Sequence, residues 1–300
     1  MNEFSYIVSS NRSKEAPNGM TVDNAIHQLE TPNSVCTLID TPGNLKHRQT
    51  ATAALGQADV AILVVDSTAA DIEECTTTTV PDDSKVRFGY EEIAQIAHDQ
   101  GIRQMIVVLT KLDDRGAHLT EKQYSNVVKS IGFSLDKIGF RHSPSSTITT
   151  TIPFIPLSGL NGDNLTHRSP GIPWYDGPYL MQALDGMEIP VRESFKQLWI
   201  PILNVCQVER IGIVAIGTIE TGTLEVGMQV KILPNDVLAK VESIEMHHTA
   251  LSTAQAGDHV GFNLVFSVDD TTTEAMDIRP GCIATDADVS YSTLVDHGYL

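Results

Sequence analysis

Short apolar runs in the first part of this 300-residue chain constrain its fold more than any other feature. Each run is rich in β-branched residues, is bounded by turn residues, and is separated from the next by a helix-length segment. This rhythm is typical of buried parallel strands joined by crossover helices, and it predicts most of a doubly wound α/β domain. The runs are VCTLID (35–40), VAILVVD (60–66), MIVVLT (105–110) and IPFIPL (152–157).

Helices are expected between and after these runs. The segment before Gly56 has helical character, and the others are bounded by polar turns. The first expected helix ends near Gly56, and the other three span about 90–100, 121–131 and 179–184.

The pattern changes after Met187. The segments IPILNVCQV, GIVAIGTIETG, MQVKILP, AKVESIEMHH and HVGFNLVF are short strands separated by Gly, Asn and Pro turns. No helix-length segment lies between them, which is typical of a small antiparallel barrel. We therefore expect an α/β domain over residues 1–186 and a β-barrel domain over residues 187–300, with the boundary near 186–196.

Charge and cysteine content limit the classes of function. The chain has 38 acidic residues against 20 Lys and Arg, a net charge of −18. Because proteins that bind nucleic acid through phosphates need a basic face, this balance argues against strong RNA binding. The four cysteines lack metal-ligand spacing, and no leader or bilayer-length apolar run is present. A cytoplasmic location without membrane attachment is the resulting expectation.

Three strand ends carry residues suited to nucleotide chemistry. The first run ends in D-T-P-G (40–43), where an Asp can orient Mg²⁺ and a Gly lets a backbone N–H approach a phosphate. An Asp in this position also serves simply to cap a turn, so the motif alone is weak. T-K-L-D (110–113) and S-G-L (158–160) follow two later runs. A Lys stem, a carboxylate and backbone amides at those ends can enclose a purine base.

Longer segments show a specific resemblance. FIPLSGLNGDNL (154–165), PWYDGPYLMQALD (173–185), GIVAIGTIETGTLEVGM (212–228) and VESIEMHHTALSTAQAGDHVGFNL (241–264) closely resemble elongation factor 1-alpha of eukaryotes and archaea. The resemblance runs from about residue 4 to 286. It implies a translational GTPase fold, in which a P-loop-GTPase-like sheet is followed by the translation-factor β-barrel.

The resemblance also implies ligands and site residues in the α/β domain. The implied ligands are GTP or GDP with Mg²⁺. The residues that correspond to the family's nucleotide site are the metal ligands Thr21 and Asp40, the γ-phosphate contact Gly43, the guanine-reading segment Thr110, Lys111 and Asp113, and the guanine-closing loop Ser158, Gly159 and Leu160.

In the barrel, the resemblance points to RNA. Glu245, Met246, His247 and His248 correspond to the strand that lines the pocket for the 3′-terminal adenosine and amino acid of the tRNA. Adjacent residues on a strand point to opposite faces, so at most one of the two histidines is expected to line that pocket. The partners implied are aminoacyl-tRNA, the ribosome and a guanine-exchange factor.

Departures from the family pattern set the functional expectation. No G-x-x-x-x-G-K-[ST] motif occurs, and the first residues resemble the helix before switch one, so the first strand and the P-loop are expected to be missing. Asn44 replaces the water-positioning His, with His47 a weak substitute, and Thr110 replaces an Asn. The third domain is expected to be absent. The chain is thus expected to be either an elongation-factor-like protein impaired in GTP binding and hydrolysis, or a non-enzymatic degenerate GTPase that binds proteins.

Overall fold

A computed structural model describes residues 24–42, 47–67, 90–112, 119–140, 152–208, 211–247, 249–266 and 278–289. The chain divides into two compact units, residues 1–189 and 190–300. An α/β unit followed by an antiparallel barrel is the fold class that the sequence predicts, and it is confirmed. Within the described residues, no helix is long and apolar enough to cross a membrane.

The first unit starts with a two-stranded antiparallel hairpin. Strands β1 (Ala25–Glu30) and β2 (Val35–Asp40) pair from Ala25 opposite Asp40 to Glu30 opposite Val35. The expectation that VCTLID is a buried parallel strand is wrong, because no residue of β2 is buried and its described partner is antiparallel. Sequence reasoning missed β1 because its run, AIHQLE, mixes polar and apolar residues.

The hairpin turn contacts a short helix late in the unit. The Thr31 hydroxyl and the Asn33 N–H both donate to the Asp185 carboxylate. Burial raises the pKa of the Cys36 thiol, and the nearby Asp185 charge raises it further. A two-stranded hairpin is marginally stable by itself, so these contacts help to hold it on the unit.

A separate parallel sheet forms the centre of the first unit. Its strands lie in the order β3 (Val60–Asp66), β4 (Gln104–Thr110) and β5 (Phe154–Pro156), in parallel register. The middle strand β4 is buried from Met105 to Leu109, as expected of a parallel strand covered on both faces.

Helices cover both faces of this sheet. The four described helices are α1 (Arg48–Leu55), α2 (Tyr90–Asp99), α3 (Glu121–Ile138) and α4 (Leu180–Asp185). Helices α2 and α3 pack on one face, where Ala94 and Ile131 meet Leu63 and Val107 in one core. On the other face, Ala183 of α4 packs in a smaller core with Ile106, Val108 and Ile155.

Helix α3 is longer than the sequence predicts, because its end is set by Gly139 rather than near Ile131. At its start, the Thr120 hydroxyl accepts from the Gln123 N–H and the Gln123 side chain bonds back to Thr120, which is a capping box. At its end, Gly139 adopts φ 118°, a left-handed conformation that suits glycine, and its N–H donates to the Leu135 carbonyl.

The second unit is a closed barrel. Its described strands are β6 (Trp199–Val208), β7 (Gly212–Thr218), β8 (Thr223–Glu225), β9 (Gln229–Leu233), β10 (Val237–Met246), β11 (Thr249–Leu251), β12 (Thr253–Gln255), β13 (His259–Phe266) and β14 (Ile283–Asp286). Six of them form a ring in the order β10, β13, β7, β6, β14 and β9, and β9 pairs back with β10. The fully buried side chains of Ile200, Phe262 and Leu224 belong to the core of this barrel.

Candidate functional site

The carboxyl ends of β3 and β4 are joined by polar contacts. The Ser67 N–H and the Ser67 hydroxyl both donate to the Thr110 carbonyl, at 3.0 and 2.6 Å. Because parallel strands end at one edge of the sheet, this edge is where ligands bind in open α/β folds. The residue predicted to stand at the guanine-reading position, Thr110, therefore uses its carbonyl to join β4 to β3.

Lys111 directly follows β4 in an unusual conformation. Its φ is 67°, in the left-handed region that few non-glycine residues adopt. Its ammonium Nζ lies 2.6 Å from Asp66 Oδ2 at the end of β3, while the lysine side chain remains 56% exposed. An ion pair this exposed contributes little stability, but it directs the lysine side chain across the strand ends.

Asp66 is a site residue that sequence reasoning missed. It closes the run VAILVVD and lies opposite Thr110 in the β3–β4 register. Its position at a strand end was visible in the sequence, but its pairing with Lys111 depends on which strands are neighbours. The strand order supplies this information, and local spacing does not.

The predicted guanine-closing loop is held by its own hydrogen bonds. Ser158 is fully buried, its hydroxyl accepts from the Asn161 N–H at 3.1 Å, and its carbonyl accepts from the Gly162 N–H at 2.9 Å. Gly159 has open space where a Cβ would lie, and the Leu160 side chain is 83% exposed. The tip of the loop is therefore open to a ligand, whereas its base is fixed.

The Asn164 side chain also holds this loop, through hydrogen bonds to backbone groups on either side of it. Its side-chain amide donates to the Pro156 carbonyl at 2.7 Å, and its side-chain oxygen accepts from the Ser169 N–H at 2.8 Å. Its φ of 55° is again left-handed, which Asn tolerates better than most residues. The Ser169 hydroxyl also donates to Asp163 Oδ1 at 2.5 Å.

Of the other predicted nucleotide ligands, the structure describes only Asp40. Asp40 ends β2, and the strand ladder of β2 belongs to the separate hairpin sheet. Thr21, Gly43 and Asp113 lie outside the described residues.

The described residues can be compared with what a nucleotide needs. The Lys111 stem and the exposed Gly159–Leu160 tip are groups of the kind that border the flat face and edge of a purine. In the part of the chain that the structure describes, no three His, Cys, Asp or Glu side chains are grouped to hold an ion. Thr21 and Gly43, which the resemblance assigns to Mg²⁺ and phosphate, lie outside that part.

In the barrel, the structure corrects one prediction about the E-M-H-H segment. Glu245 and Met246 lie on β10, paired with Ala250 and Thr249 of β11. His247 is not on the strand but in the turn after it, at φ 49°. Tight hairpin turns require such positive φ values, so the argument that the two histidines point to opposite faces of a strand is wrong. His248 lies outside the described residues.

A second histidine near this turn was not predicted. His259 is 7% exposed, and its Nδ1 lies 2.9 Å from the Thr218 hydroxyl. Burial, with a smaller contribution from the nearby His247, lowers the pKa of His259 to about 4, so the imidazole is neutral near pH 7. Its Nε2 is buried and has no hydrogen-bond partner among the residues that the structure describes, and the same holds for Asn263 Oδ1 on the same strand. No local sequence motif distinguishes this pair of polar residues.

The family models match both units. The model described as the elongation factor Tu GTP binding domain matches residues 2–210, and the model described as elongation factor Tu domain 2 matches residues 212–273.

Relatives and solved structures agree with these matches. Elongation factor 1-alpha of Tetrahymena pyriformis is 37% identical over 273 residues, which is 91% of this chain and 58% of the relative. The protein of the same name from Desulfurococcus mucosus is 35% identical over 276 residues, which is 92% of this chain and 58% of the relative. The chain thus spans less than two thirds of the length of these curated relatives.

Two solved structures share the fold at low identity. The bacterial selenocysteine-specific elongation factor EF-Sec superposes with a TM-score of 0.67 and 20% identity, over 92% of this chain and 40% of the other. SelB from Methanococcus maripaludis, solved in complex with the GTP analogue GppNHp, superposes with a TM-score of 0.65 and 24% identity. This match covers 90% of this chain and 50% of the other. From its domain matches, the chain belongs to the elongation factor Tu family of translational GTPases, with elongation factor 1-alpha proteins among its relatives.

Proposed function

We propose that this chain is an elongation factor 1-alpha-like guanine-nucleotide-binding protein of translation, in which GTP binding and hydrolysis are impaired. The observation that supports the proposal is a contrast between two sets of residues. Lys111 and the Ser158 loop, which the resemblance assigns to the guanine base, follow the parallel strands β4 and β5, whereas no G-x-x-x-x-G-K-[ST] sequence occurs in the 300 residues. A cytoplasmic location is part of the proposal.

The energetic consequence concerns the phosphates. In P-loop proteins the backbone amides and the lysine of that loop bind the β- and γ-phosphates, and Mg²⁺ neutralises them. Without these groups, the phosphates of GTP add little to binding and bring negative charge to a protein of net charge −18. We therefore expect GTP to bind no more tightly than guanosine.

A comparison of guanosine, GDP and GTP by isothermal titration calorimetry, with Mg²⁺ present, tests the proposal. The expected result is three dissociation constants within about tenfold of one another. Lys111→Met is expected to weaken all three, because the lysine stem borders the base; Lys129→Met, which alters an exposed lysine of α3, serves as the control. Affinity for GTP several orders of magnitude above that for guanosine would contradict the proposal.

Hydrolysis is expected to be absent. Neither a phosphate cradle nor the His of the family's switch two is found in the sequence, since Asn44 stands in that position. Release of phosphate from GTP should not exceed that of a mock-purified sample. Turnover that Asp40→Ala removes would overturn this part of the proposal.

The chain is not expected to deliver aminoacyl-tRNA. Its charge of −18 opposes the RNA backbone, and the Glu245 segment alone offers only a small part of a tRNA-binding surface. A gel-shift titration at about 0.15 M salt tests this, since exposed charges are then screened beyond about 8 Å. Sub-micromolar binding that requires the aminoacyl group and is lost in Glu245→Ala would restore a delivery role.

A second function, as a non-enzymatic protein-binding module, is favoured by an apolar side chain of β3 that the described part of the chain leaves exposed. Val64 in the middle of that strand is 62% exposed. The ribosome and a guanine-exchange factor are the partners proposed from the family. Co-sedimentation with purified ribosomes and pull-down with purified exchange factor are the direct tests.

A further inference from the structure

The residues that end β3 hold the backbone just before Lys111. The Ser67 N–H and hydroxyl both donate to the Thr110 carbonyl, at 3.0 and 2.6 Å. This carbonyl belongs to the planar peptide group that joins Thr110 to Lys111, so the two bonds restrain the orientation of that group. Lys111 has φ 67°, a conformation that costs free energy in a residue with a Cβ and persists where neighbouring contacts impose it. The end of β3 supplies such contacts.

Asp66, the residue before Ser67, holds the side chain of the same lysine. Lys111 Nζ lies 2.6 Å from Asp66 Oδ2, although the two residues are 45 positions apart in the sequence. The Asp66 side chain is 25% exposed and that of Lys111 is 56% exposed, so the carboxylate is the more restricted partner. A lysine stem has four flexible carbons, and an anchor at its ammonium therefore decides where the stem lies.

Lys111 is thus restrained at both ends of its stem. The stem spans from the end of β4 to the end of β3, at the sheet edge where ligands bind in open α/β folds. Because the ammonium is paired with Asp66, the lysine offers its apolar stem to a ligand at this edge more than its charge. An apolar, uncharged surface suits the flat face of a purine base.

A purely structural role for the pair is the alternative. An ion pair this exposed adds little to stability, because solvent screens the charges and ordering two side chains costs entropy. The left-handed backbone at Lys111 reduces that small gain further. The pair therefore suits the positioning of a ligand group better than the stabilisation of the fold.

We propose that Asp66, supported by Ser67, is a positioning residue of the guanine site, which anchors the Lys111 ammonium so that the lysine stem packs on the uncharged face of the base. The inference rests on the proposed function, guanine binding. It adds to that site two residues outside the segments 110–113 and 158–160, and the ligand group on which they act is a neutral purine ring.

Guanosine serves as the probe, because it carries no charge near neutral pH and an ion pair can affect its binding only through the protein. Titration of the full chain is followed by NMR. Asp66→Asn removes the charge with little change in size, and it should weaken guanosine binding about threefold at about 0.01 M salt. Asp59→Asn, which removes a carboxylate just before the opposite end of β3, is the matched control and should bind like wild type.

Salt supplies a measurement that a structural role would not change. The Debye length falls from about 30 Å at 0.01 M to about 3 Å at 1 M salt, so an exposed ion pair is weakened over this range. The ratio of the wild-type affinity to that of Asp66→Asn should fall from about three to about one. General effects of salt on a nucleoside act on both proteins and cancel in this ratio.

Further variants test whether Asp66 acts through the lysine. In a Lys111→Met background, Asp66→Asn should have no additional effect on guanosine binding, because the ammonium that it anchors is gone. Asp66→Glu keeps a carboxylate and should restore binding toward the wild-type value. Ser67→Ala loses the hydroxyl bond but keeps the N–H bond, so it should weaken binding less than Asp66→Asn does.

Three results would overturn the role of Asp66 and leave guanine binding standing. They are an unchanged affinity in Asp66→Asn at low salt, an affinity ratio that persists at high salt, and an equal effect of Asp66→Asn with and without Lys111. Absence of guanosine binding by wild type would instead overturn the proposed function, and this role with it. If urea titration shows that Asp66→Asn is unfolded, the salt series compares wild type with Lys111→Met, and a ratio independent of salt then overturns the role.

Discussion

The two units of this chain differ in whether the edge strands of their sheets have pairing partners among the described residues. In the barrel, each of the six ring strands has two neighbours, because β9 pairs with β10 and closes the ring. In the first unit, β3 and β5 each have a strand neighbour on one side only among the described residues, and β2 pairs only with β1. Ring closure satisfies backbone groups within the unit, whereas an open sheet leaves them for water or for another chain.

The difference also appears in the side chains. Val260, Phe262 and Leu264 alternate along β13 and all lie in the barrel core. No residue of β2 is buried, although its sequence VCTLID is as apolar as that of a core strand. An apolar strand thus becomes a core strand only when neighbouring elements supply cover, which the barrel does by itself.

The most demanding test of this comparison divides the chain. Residues 187–300 expressed alone should give a dispersed amide NMR spectrum and cooperative urea unfolding, because the ring of six strands lies within them. Residues 1–189 alone should unfold at lower urea concentration. A disordered spectrum for the barrel fragment would show that its closure does not suffice for folding.

Removing a core side chain of the barrel should have the next largest effect. Phe262 is fully buried, so Phe262→Ala should lower the free energy of unfolding of the barrel by about 3–5 kcal/mol. Val265→Ala, at a position 43% exposed, should cost less than about 0.5 kcal/mol. Of the two tryptophans, Trp199 lies in the barrel, so Trp199 fluorescence in a Trp174→Phe background reports its unfolding. Equal losses for both variants would contradict the core assignment.

The barrel should also have a specific sensitivity to acid. The pKa of His259 is about 4 in the folded state, lowered from 6.5 by burial, so the unfolded state binds a proton that the folded state does not. The free energy of unfolding should therefore fall as pH decreases from about 6.5 to about 4, by roughly 3 kcal/mol in all. Below that range this contribution stays constant.

Two histidine variants isolate this effect. In His259→Gln, the part of the pH dependence that comes from this residue should disappear between pH 7 and 4.5. His167→Gln, which alters an exposed histidine, should unfold with the wild-type pH dependence. If wild type and His259→Gln show the same slope, the imidazole is not protected from protonation in the folded barrel.

The smallest expected change in the free energy of unfolding comes from comparing two valines, Val64 and Val108, which lie opposite each other on β3 and β4. Val108→Ala should lower the free energy of unfolding by about 2 kcal/mol, because Val108 is 3% exposed. Val64→Ala should lower it by less than about 0.5 kcal/mol, because Val64 is 62% exposed. Urea titrations of both variants decide the point. A large loss for Val64→Ala would mean that the β3 edge is covered in solution.

The sequence correctly predicts the strands that are marked by a regular apolar pattern and by turn residues at their ends. The runs of β3 and β4 and the strand-and-turn pattern of the barrel identify their strands directly. It fails for VCTLID, because apolarity cannot show whether a strand has a covering neighbour. It also ends α3 too early, because the left-handed Gly139 sets the end of the helix.

The residues of the candidate site likewise fall into those that the sequence predicts and those that it does not. Lys111 and Ser158 are recognisable from motifs next to strands, so their place at the sheet edge follows from the strand order. The Asp66–Lys111 ion pair and the Thr218–His259 contact join residues 45 and 41 positions apart. No spacing rule links such residues, since their proximity depends on strand pairing.

The edge of β3 also bears on how the chain behaves at high concentration. Among the described residues this edge has no strand neighbour, and unpaired strand edges favour pairing between chains. The first unit is therefore expected to aggregate more readily than the barrel, in which each ring strand has two neighbours.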